Sequence, residues 1–322
     1  MPFAAGLSSH PVTALAAGEV IGSVLEQIGP HADVLVVGAT PGHAGALEDV
    51  AAAVRAVLEP AVLIGAVARR LGDGAGARTE PALGLWGGSC GPAAAVRIEP
   101  GGGPAAPGRR GTAVLWAADA PGDDRLAGLG TVAGGVTAAP LLLEDRILRG
   151  GAVGLVTGRP DVRVVEVARP LRLLGPEAQV GAAEDRVVHE LGGLPAMDGL
   201  LRMLRDVPPD DYRPEDLRLS IAGTQRAVTV LGTVTGTRSL VLDGELPAGA
   251  LVLLVVPDRS RSEPVDLDGA EAVLAFGDAD LAAQELFPVA TLAFEAVAPV
   301  AAGDGGAARG CWAATAALFP GP

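Results

Sequence analysis

The clearest pattern in the chain is a strand, a helix and a second strand between residues 33 and 67. The run DVLVVGA at 33–39 is apolar almost throughout, which is typical of a buried strand. Thr40-Pro41 then offers a cap and a first-turn proline, and Glu59-Pro60 ends the helix before the apolar run AVLIGAV. Helical spacing joins the apolar positions in between: Leu47, Val50, Ala51, Val54, Val57 and Leu58. This order predicts a βαβ unit and an α/β layer.

The rest of the chain combines further helices with many short strands. An apolar stripe predicts a first helix from Pro11 to Ile28, and a second amphipathic helix is predicted from Pro195 to Val207. The glycine-rich segment 71–79 is predicted to be a loop. No short-period internal repeat is visible. We predict an α/β fold with mixed β-sheets flanked by helices, in two joined halves, 1–190 and 191–322.

Strands are predicted wherever short apolar or alternating runs lie between turn signals. These runs are 81–86, 93–99, 112–118, 131–137, 151–157, 162–168, 217–221, 227–234, 239–242, 251–256 and 272–276. A short helix is predicted at 280–287.

Composition narrows the classes of function. The formal net charge of −14 argues against nucleic acids and anionic membranes as partners, because phosphate binding needs a basic face. All 24 basic residues are arginine, and asparagine is also absent, as a GC-rich genome would produce. Schiff-base and P-loop lysines, Ser-Lys pairs and Cys-His-Asn triads are therefore excluded. PLP enzymes and Walker-A NTPases are excluded with them, and we predict no cofactor.

Location follows from what the sequence lacks. The N-terminal segment MPFAAGLSSHP has no basic residue ahead of an apolar core, so no signal peptide is expected. The longest apolar runs, such as ALVLLVV at 250–256, are far shorter than the ~20 residues that span a bilayer. Cys90 and Cys311 do not make a disulfide framework. We expect a cytoplasmic protein without a membrane partner.

The order of several segments resembles that of the FIST domain proteins. The resemblance covers nearly the whole chain and is best up to about Leu201. The segments that carry it are LSSHP (7–11), the βαβ unit with HAGAL (43–47), Arg78-Thr79-Glu80 with PALGLWGG (81–88), LAGLGTVAGGVTAAPLLLEDRILRGGAVGLVTG (126–158), RPLRLLGPEAQVGAAEDRVVHELGGLPAMDGL (169–200) and GDGGAARGCWAATAALF (303–319). The resemblance implies a sensory, small-ligand-binding module of signalling proteins, with amino acids among its ligands and a signalling protein as partner. It implies no reaction.

Two segments depart from the pattern of that family. Phe276-Gly277-Asp278 stands where the family carries Phe-Ser-Cys with a nearby Arg-Gly, and Gly303-Asp304 stands where it carries Gly-Glu. A cysteine or an arginine would offer strong directional contacts to a polar ligand, whereas a carboxylate repels another carboxylate. We therefore expect an impaired site in the C-terminal half, an exposed Asp278, and Leu274 and Phe276 as core strand residues.

The candidate ligand-binding residues lie at predicted strand ends. His43 occupies a strand-to-helix junction, where backbone N–H groups favour an anion. Gly134-Gly135 and Thr137 are predicted to form a turn that lines a pocket, and His43 and Thr137 are expected to face one cavity. Arg149, in a glycine turn, and Asp304 complete the candidate set. The four histidines are scattered, so no metal site is predicted.

Two other interpretations remain open. Gly87 to Gly91 fits G-x-S-x-G with Ser89 at its centre, and Asp119 or Asp123 with His189 would complete a serine hydrolase. A nucleophile elbow needs a helix after the serine, and none is convincing here, so we predict that Ser89 is not a nucleophile. The third interpretation is a protein-binding scaffold in which the pocket has been vacated.

Overall fold

Strands make up most of the regular structure of this chain. The computed structural model describes residues 3–73, 76–78, 81–101, 111–118, 126, 129–159, 161–168, 171–223, 227–258, 270–277, 290–295, 298–303, 306–308 and 312–320. Among these described residues, strands account for far more positions than helices do. Mixed sheets are thus confirmed, but helices flank them less than an α/β fold implies. Within the described residues, no helix has the length and hydropathy to cross a membrane.

Elements are numbered in chain order. The helices with described bounds are α1 (Thr13–Ile28), α2 (Leu47–Leu58) and α3 (Ala196–Met203). The strands are β1 (Ala4–Ser8), β2 (Val34–Ala39), β3 (Val62–Val67), β4 (Leu71–Asp73), β5 (Gly76–Arg78), β6 (Leu83–Gly88), β7 (Ala93–Ile98), β8 (Gly111–Ala117), β9 (Gly130–Val136), β10 (Ala138–Leu143), β11 (Arg146–Leu148), β12 (Ala152–Thr157), β13 (Arg163–Ala168), β14 (Leu171–Leu173), β15 (Ala178–Glu184), β16 (Val187–Leu191), β17 (Leu194–Pro195), β18 (Arg218–Ile221), β19 (Ala227–Val234), β20 (Ser239–Leu242), β21 (Leu251–Pro257), β22 (Ala270–Gly277), β23 (Ala290–Glu295), β24 (Ala298–Gly303), β25 (Gly306–Ala308) and β26 (Trp312–Pro320).

The chain separates into two compact units. The first comprises Met1–Val167 together with Pro264–Pro322, and the second, which we call the barrel unit, comprises Ala168–Glu263. This division differs from the predicted halves, 1–190 and 191–322. The reason is strand pairing: the C-terminal strands β24 and β23 pair with β9 and β4 of the first unit, so both ends of the chain belong together.

Three sheets of one plan build the first unit. Their strand orders are β1-β6-β2-β3-β10-β11, β7-β12-β8-β9-β24-β25 and β13-β26-β22-β23-β4-β5. At the centre of each lies a parallel pair, β2 with β3, β8 with β9 and β22 with β23. Apart from its outer hairpin, each sheet takes its strands from one part of the chain, which we call a module: β1–β6 for the first sheet, β7–β12 for the second, and β13 with β22–β26 for the third. The outer hairpin comes from a different module: β10–β11 joins the first sheet, β24–β25 the second and β4–β5 the third. The first unit is therefore a three-fold structural repeat. Each module supplies its hairpin to the sheet of another module: the first to the third, the third to the second, and the second to the first.

The repeat extends to individual positions. The equivalent position lies two residues before the last paired residues of each central parallel strand pair. There Val37 lies opposite Gly65, Leu115 opposite Gly134, and Ala275 opposite Ala293. A Cβ atom on Gly65 would lie 2.5 Å from the carbonyl oxygen of Val37, and one on Gly134 would lie 2.4 Å from that of Leu115. Small residues recur here because the neighbouring parallel strand approaches closely.

One hydrophobic core is shared by all three sheets of the first unit. Val36, Val114 and Leu274, from the three modules, are fully buried in it. Two groups of rings pack within it, Phe3 with Trp86 and Phe319, and Trp116 with Phe276 and Phe294. A separate core lies between the first sheet and the helices α1 and α2, whose apolar stripes the sequence predicted. The predicted core roles of Leu274 and Phe276 are confirmed.

A closed ring of antiparallel strands forms the barrel unit. β15, β16, β20, β19, β18 and β21 pair in that order, and β21 returns to β15. Register shifts in the β15–β16 and β19–β20 pairings bend the ring. Inward side chains such as Leu219, Leu240 and Leu254 fill its interior together with α3. Gly199 lets α3 approach β16, because a Cβ there would lie 2.3 Å from the carbonyl oxygen of Leu191.

Local predictions had mixed outcomes. The βαβ unit and the first helix are confirmed, and the second predicted helix ends early, at Met203. The predicted loop at 71–79 is wrong, because β4 and β5 form a hairpin there that pairs with β23. The helix predicted at 280–287 lies outside the described residues.

Candidate functional site

His43 is buried beside the first helix. It lies in a 3₁₀ turn between β2 and α2, and its side chain is 1% exposed. Its Nδ1 atom lies 2.9 Å from the Oγ1 atom of Thr13 in α1, while Nε2 is buried without a hydrogen-bond partner among the described residues. Burial lowers the pKa of His43, and the nearby charge of His10 lowers it further, against a backbone hydrogen bond at His10 that raises it. Thr40, the predicted cap, instead accepts a hydrogen bond from the Ala82 N–H at 2.7 Å.

The buried His43 makes stability depend on pH. The unfolded chain binds a proton near the ordinary pKa of 6.5, and the folded chain binds it only at lower pH. The stabilising contribution is therefore complete above about 6.5 and is lost as the pH falls toward the folded pKa. We expect His43→Gln to flatten the pH dependence of the free energy of unfolding between about pH 7 and 5. Denaturant titrations at a series of pH values measure this.

His31 provides the matched control for that experiment. Its side chain is 73% exposed and pairs with Glu59 across 3.4 Å. His31→Gln makes the same substitution at the surface, so it shows how much of any change comes only from replacing an imidazole by an amide. If the free energy of unfolding changed equally with pH in wild type and in His43→Gln, burial of His43 would not be the source of the pH dependence.

Gly134 and Gly135 lie within β9, so the predicted turn is wrong. Neither has a positive φ, and both pair in register with β24. Glycine is required at Gly134 by the nearby β8 backbone rather than by a turn. Positions 134 and 135 belong to opposite faces of the sheet, because successive positions alternate along a strand. Gly135 shares the face of Ala133, which belongs to the shared core of the first unit.

Thr137 continues the inward face of β9. Its N–H donates to the carbonyl oxygen of Ala117 at 2.8 Å, which extends the ladder with β8 by one residue. The side chain is 4% exposed, and its Oγ1 atom has no hydrogen-bond partner among the described residues. Trp116, which pairs with Gly135 from β8, points to the same core, and its Nε1 atom is also buried without a described partner. Two unpaired polar groups therefore lie at neighbouring strand ends.

The carboxyl ends of several parallel strands converge at this place. Trp116, Phe276 and Phe294 each stand one residue before the end of β8, β22 or β23, and their ring centroids lie 5.0–5.8 Å apart. Gly38, at the matching position of β2, faces Phe294 and Leu71. Ligands of α/β sheets bind outside such strand ends. We call Trp116, Gly135, Thr137, Phe276 and Phe294 the strand-end site. Sequence reasoning missed Trp116, although a tryptophan in an aliphatic strand, one of only three in the chain, was a signal.

The structure does not gather all the predicted residues there. His43 packs on the helix side of the first sheet, against α1. Arg149 is exposed in the turn between β11 and β12. Asp304 and Asp278 lie outside the described residues, so what the sequence indicates about them stays a prediction.

The turn that contains Ser89 joins two strands. β6 precedes it and β7 follows it, so the helix of a nucleophile elbow is not present after Gly91. Gly91 has φ +73° and donates its N–H to Asp33 at 3.0 Å. Burial, reinforced by Asp33, raises the pKa of the Cys90 thiol to about 12, so this thiol is not a thiolate at neutral pH. His189 belongs to the barrel unit and contacts Ser239 there.

Asp119 and Asp123, the other residues of that triad, lie outside the described residues. Within the described part of the chain, no group of three or more His, Cys, Asp or Glu side chains could hold a metal ion. No model of a known protein family matches the chain, and no curated protein matches it.

Proposed function

We propose that this chain is a non-catalytic protein that binds a small ligand at the strand-end site. The observation that carries the proposal is the pair of buried polar groups without a described partner, the Trp116 N–H and the Thr137 hydroxyl. Leaving such a group unsatisfied costs about 1–3 kcal/mol, so buried polar groups in proteins nearly always have partners. A ligand atom that accepts from both groups would remove this cost.

The chemistry of these groups indicates an oxygen acceptor on the ligand. An indole N–H can only donate, and a threonine hydroxyl can donate as well as accept. A carboxylate or an amide carbonyl matches both, and the surrounding Phe276 and Phe294 rings favour a compact apolar remainder. Amino acids and small carboxylates have this combination, so they are the ligand class that we propose.

The resemblance to the FIST domain proteins supports a sensory role. Gly135 and Thr137 lie in LAGLGTVAGGVTAAP, one of the segments that carry the resemblance. On this basis we propose a cytoplasmic sensor of FIST type that acts with a signalling protein partner. The strand-to-strand turn at Ser89 gives no support to the hydrolase alternative.

The test is to replace the threonine hydroxyl by a methyl group. We expect Thr137→Val to raise the unliganded free energy of unfolding by about 1 kcal/mol, because an unsatisfied buried hydroxyl disappears at nearly constant volume. We also expect it to abolish the stabilisation that wild type gains from its ligand. A thermal-shift panel of amino acids and small carboxylates, run on both proteins, measures the two effects.

Two further variants complete the experiment. Thr131→Val makes the same change at an exposed position near the start of β9 and should keep the ligand response. Trp116→Phe removes the indole N–H, keeps an aromatic ring and should weaken that response. The proposal fails if no compound of the panel stabilises wild type, or if Thr137→Val and Trp116→Phe respond as wild type does.

A further inference from the structure

The barrel unit has a cleft that is separate from the strand-end site. It has a volume of about 460 Å³, within the range of small-molecule sites. Strand ends of β14 and β21 form one side, and a proline-rich loop with 3₁₀ turns at Pro209–Asp211 and Pro214–Asp216 forms the other. The lining residues are Arg172, Asp210, Asp211, Tyr212, Arg213, Asp216, Val256, Pro257 and Asp258.

Apolar and charged groups have different places in this cleft. Val256 is 3% exposed and, with the half-buried Tyr212, is continuous with the barrel core. Arg172 is already engaged, because it donates to the Asp211 carbonyl oxygen and lies 3.7 Å from the Asp211 carboxylate. The Arg213 guanidinium and the Asp210 carboxylate, by contrast, have no partner among the described residues. One cation and one anion are therefore available to a ligand.

The balance of charge selects the kind of ligand. Four aspartates and two arginines line the cleft, so a purely anionic molecule such as a phosphate would meet an excess of like charge. A purely cationic molecule would leave Arg213 without a counter-charge. Guanidinium groups bind carboxylates in a bidentate fork, and exposed carboxylates pair with ammonium groups.

From this cleft we infer a second binding site, which takes a small zwitterion. The carboxylate of the ligand pairs with Arg213, its ammonium group with the aspartate side that includes Asp210, and its carbon chain lies on Tyr212 and Val256. The site is independent of the strand-end site, so either can fail without the other.

Isothermal titration calorimetry on the full chain, with compounds that differ in which charges they carry, tests this inference. The probes are glycine, 4-aminobutyrate and 6-aminohexanoate, which carry both charges, with hexanoate and hexylamine carrying one each. We expect at least one zwitterion to bind about tenfold more tightly than either singly charged compound. Arg213→Gln should weaken that zwitterion about tenfold and Asp210→Asn by a smaller factor.

Two control variants show whether the zwitterion binds in this cleft. Arg205→Gln removes an exposed arginine of the same unit that does not line the cleft, and it should leave the affinity unchanged. Thr137→Val, at the strand-end site, should leave unchanged the part of the binding that Arg213→Gln weakens. The inference is wrong if no zwitterion binds at concentrations up to about 10 mM, if hexylamine binds as tightly, or if Arg213→Gln binds like wild type.

Discussion

Replacing Phe276 by alanine is expected to lower the free energy of unfolding of the first unit by about 4 kcal/mol. Phe276 is fully buried, and its ring lies 5.0 Å from that of Trp116 and 5.8 Å from that of Phe294. The substitution removes a large apolar side chain from a place where three modules meet, and strands fixed in their ladders cannot collapse into the cavity. Denaturant unfolding measures the effect.

Tryptophan fluorescence makes that measurement specific. All three tryptophans, Trp86, Trp116 and Trp312, belong to the first unit, so their signal does not follow the barrel unit. Leu15→Ala is the control, because Leu15 is 55% exposed on α1 and its loss should change stability by less than about 1 kcal/mol. A loss below about 1 kcal/mol for Phe276→Ala would show that this core is not packed as described.

Adding a single methyl group at Gly134 is expected to destabilise the first unit by about 3 kcal/mol. The Cβ atom of Gly134→Ala would lie 2.4 Å from the carbonyl oxygen of Leu115. That oxygen belongs to the backbone of a central strand, so it cannot move without separating β8 from β9. The same fluorescence-detected unfolding measures the loss.

Gly18→Ala makes the same chemical change with the opposite expected sign. Gly18 lies in the interior of α1, is exposed, and would place its Cβ atom in open space. Alanine there should raise stability by about 1 kcal/mol through helix propensity. Should Gly134→Ala prove as harmless as Gly18→Ala, the close approach of β8 and β9 would be refuted.

Local pattern was sufficient for the elements around residue 50. The run at 33–39, the helical spacing after it and the Glu59-Pro60 stop placed β2, α2 and β3 within a few residues. These features depend on neighbours in the chain, and for such features periodicity and end signals are reliable. The same local logic predicted α1, most of the short strands, and a strand rather than a helix after Ser89.

The candidate site could be predicted only in part. The sequence indicated Gly135 and Thr137 through their position near a strand end, and it excluded whole classes of chemistry through the absence of lysine. It placed His43 in the same cavity, whereas the structure packs that side chain against Thr13 of α1. Trp116 could not be predicted as a site residue from the sequence, because its place beside Thr137 depends on the pairing of β8 with β9. That pairing puts Trp116 and Thr137 on one face of the sheet.

The sequence by itself determined where strands and helices lie, which residues are apolar enough to be buried, and which reactions the side chains cannot perform. Tertiary structure decided the partners of those strands. The hairpin β24–β25 pairs with β9, more than 150 residues earlier in the chain, and β21 closes the barrel by pairing with both β15 and β18. Such pairings leave no periodic signal, because alternation specifies which face is buried but not which strand lies beside it. The three-fold repeat, the two compact units and the strand-end site all depend on these long-range strand pairings.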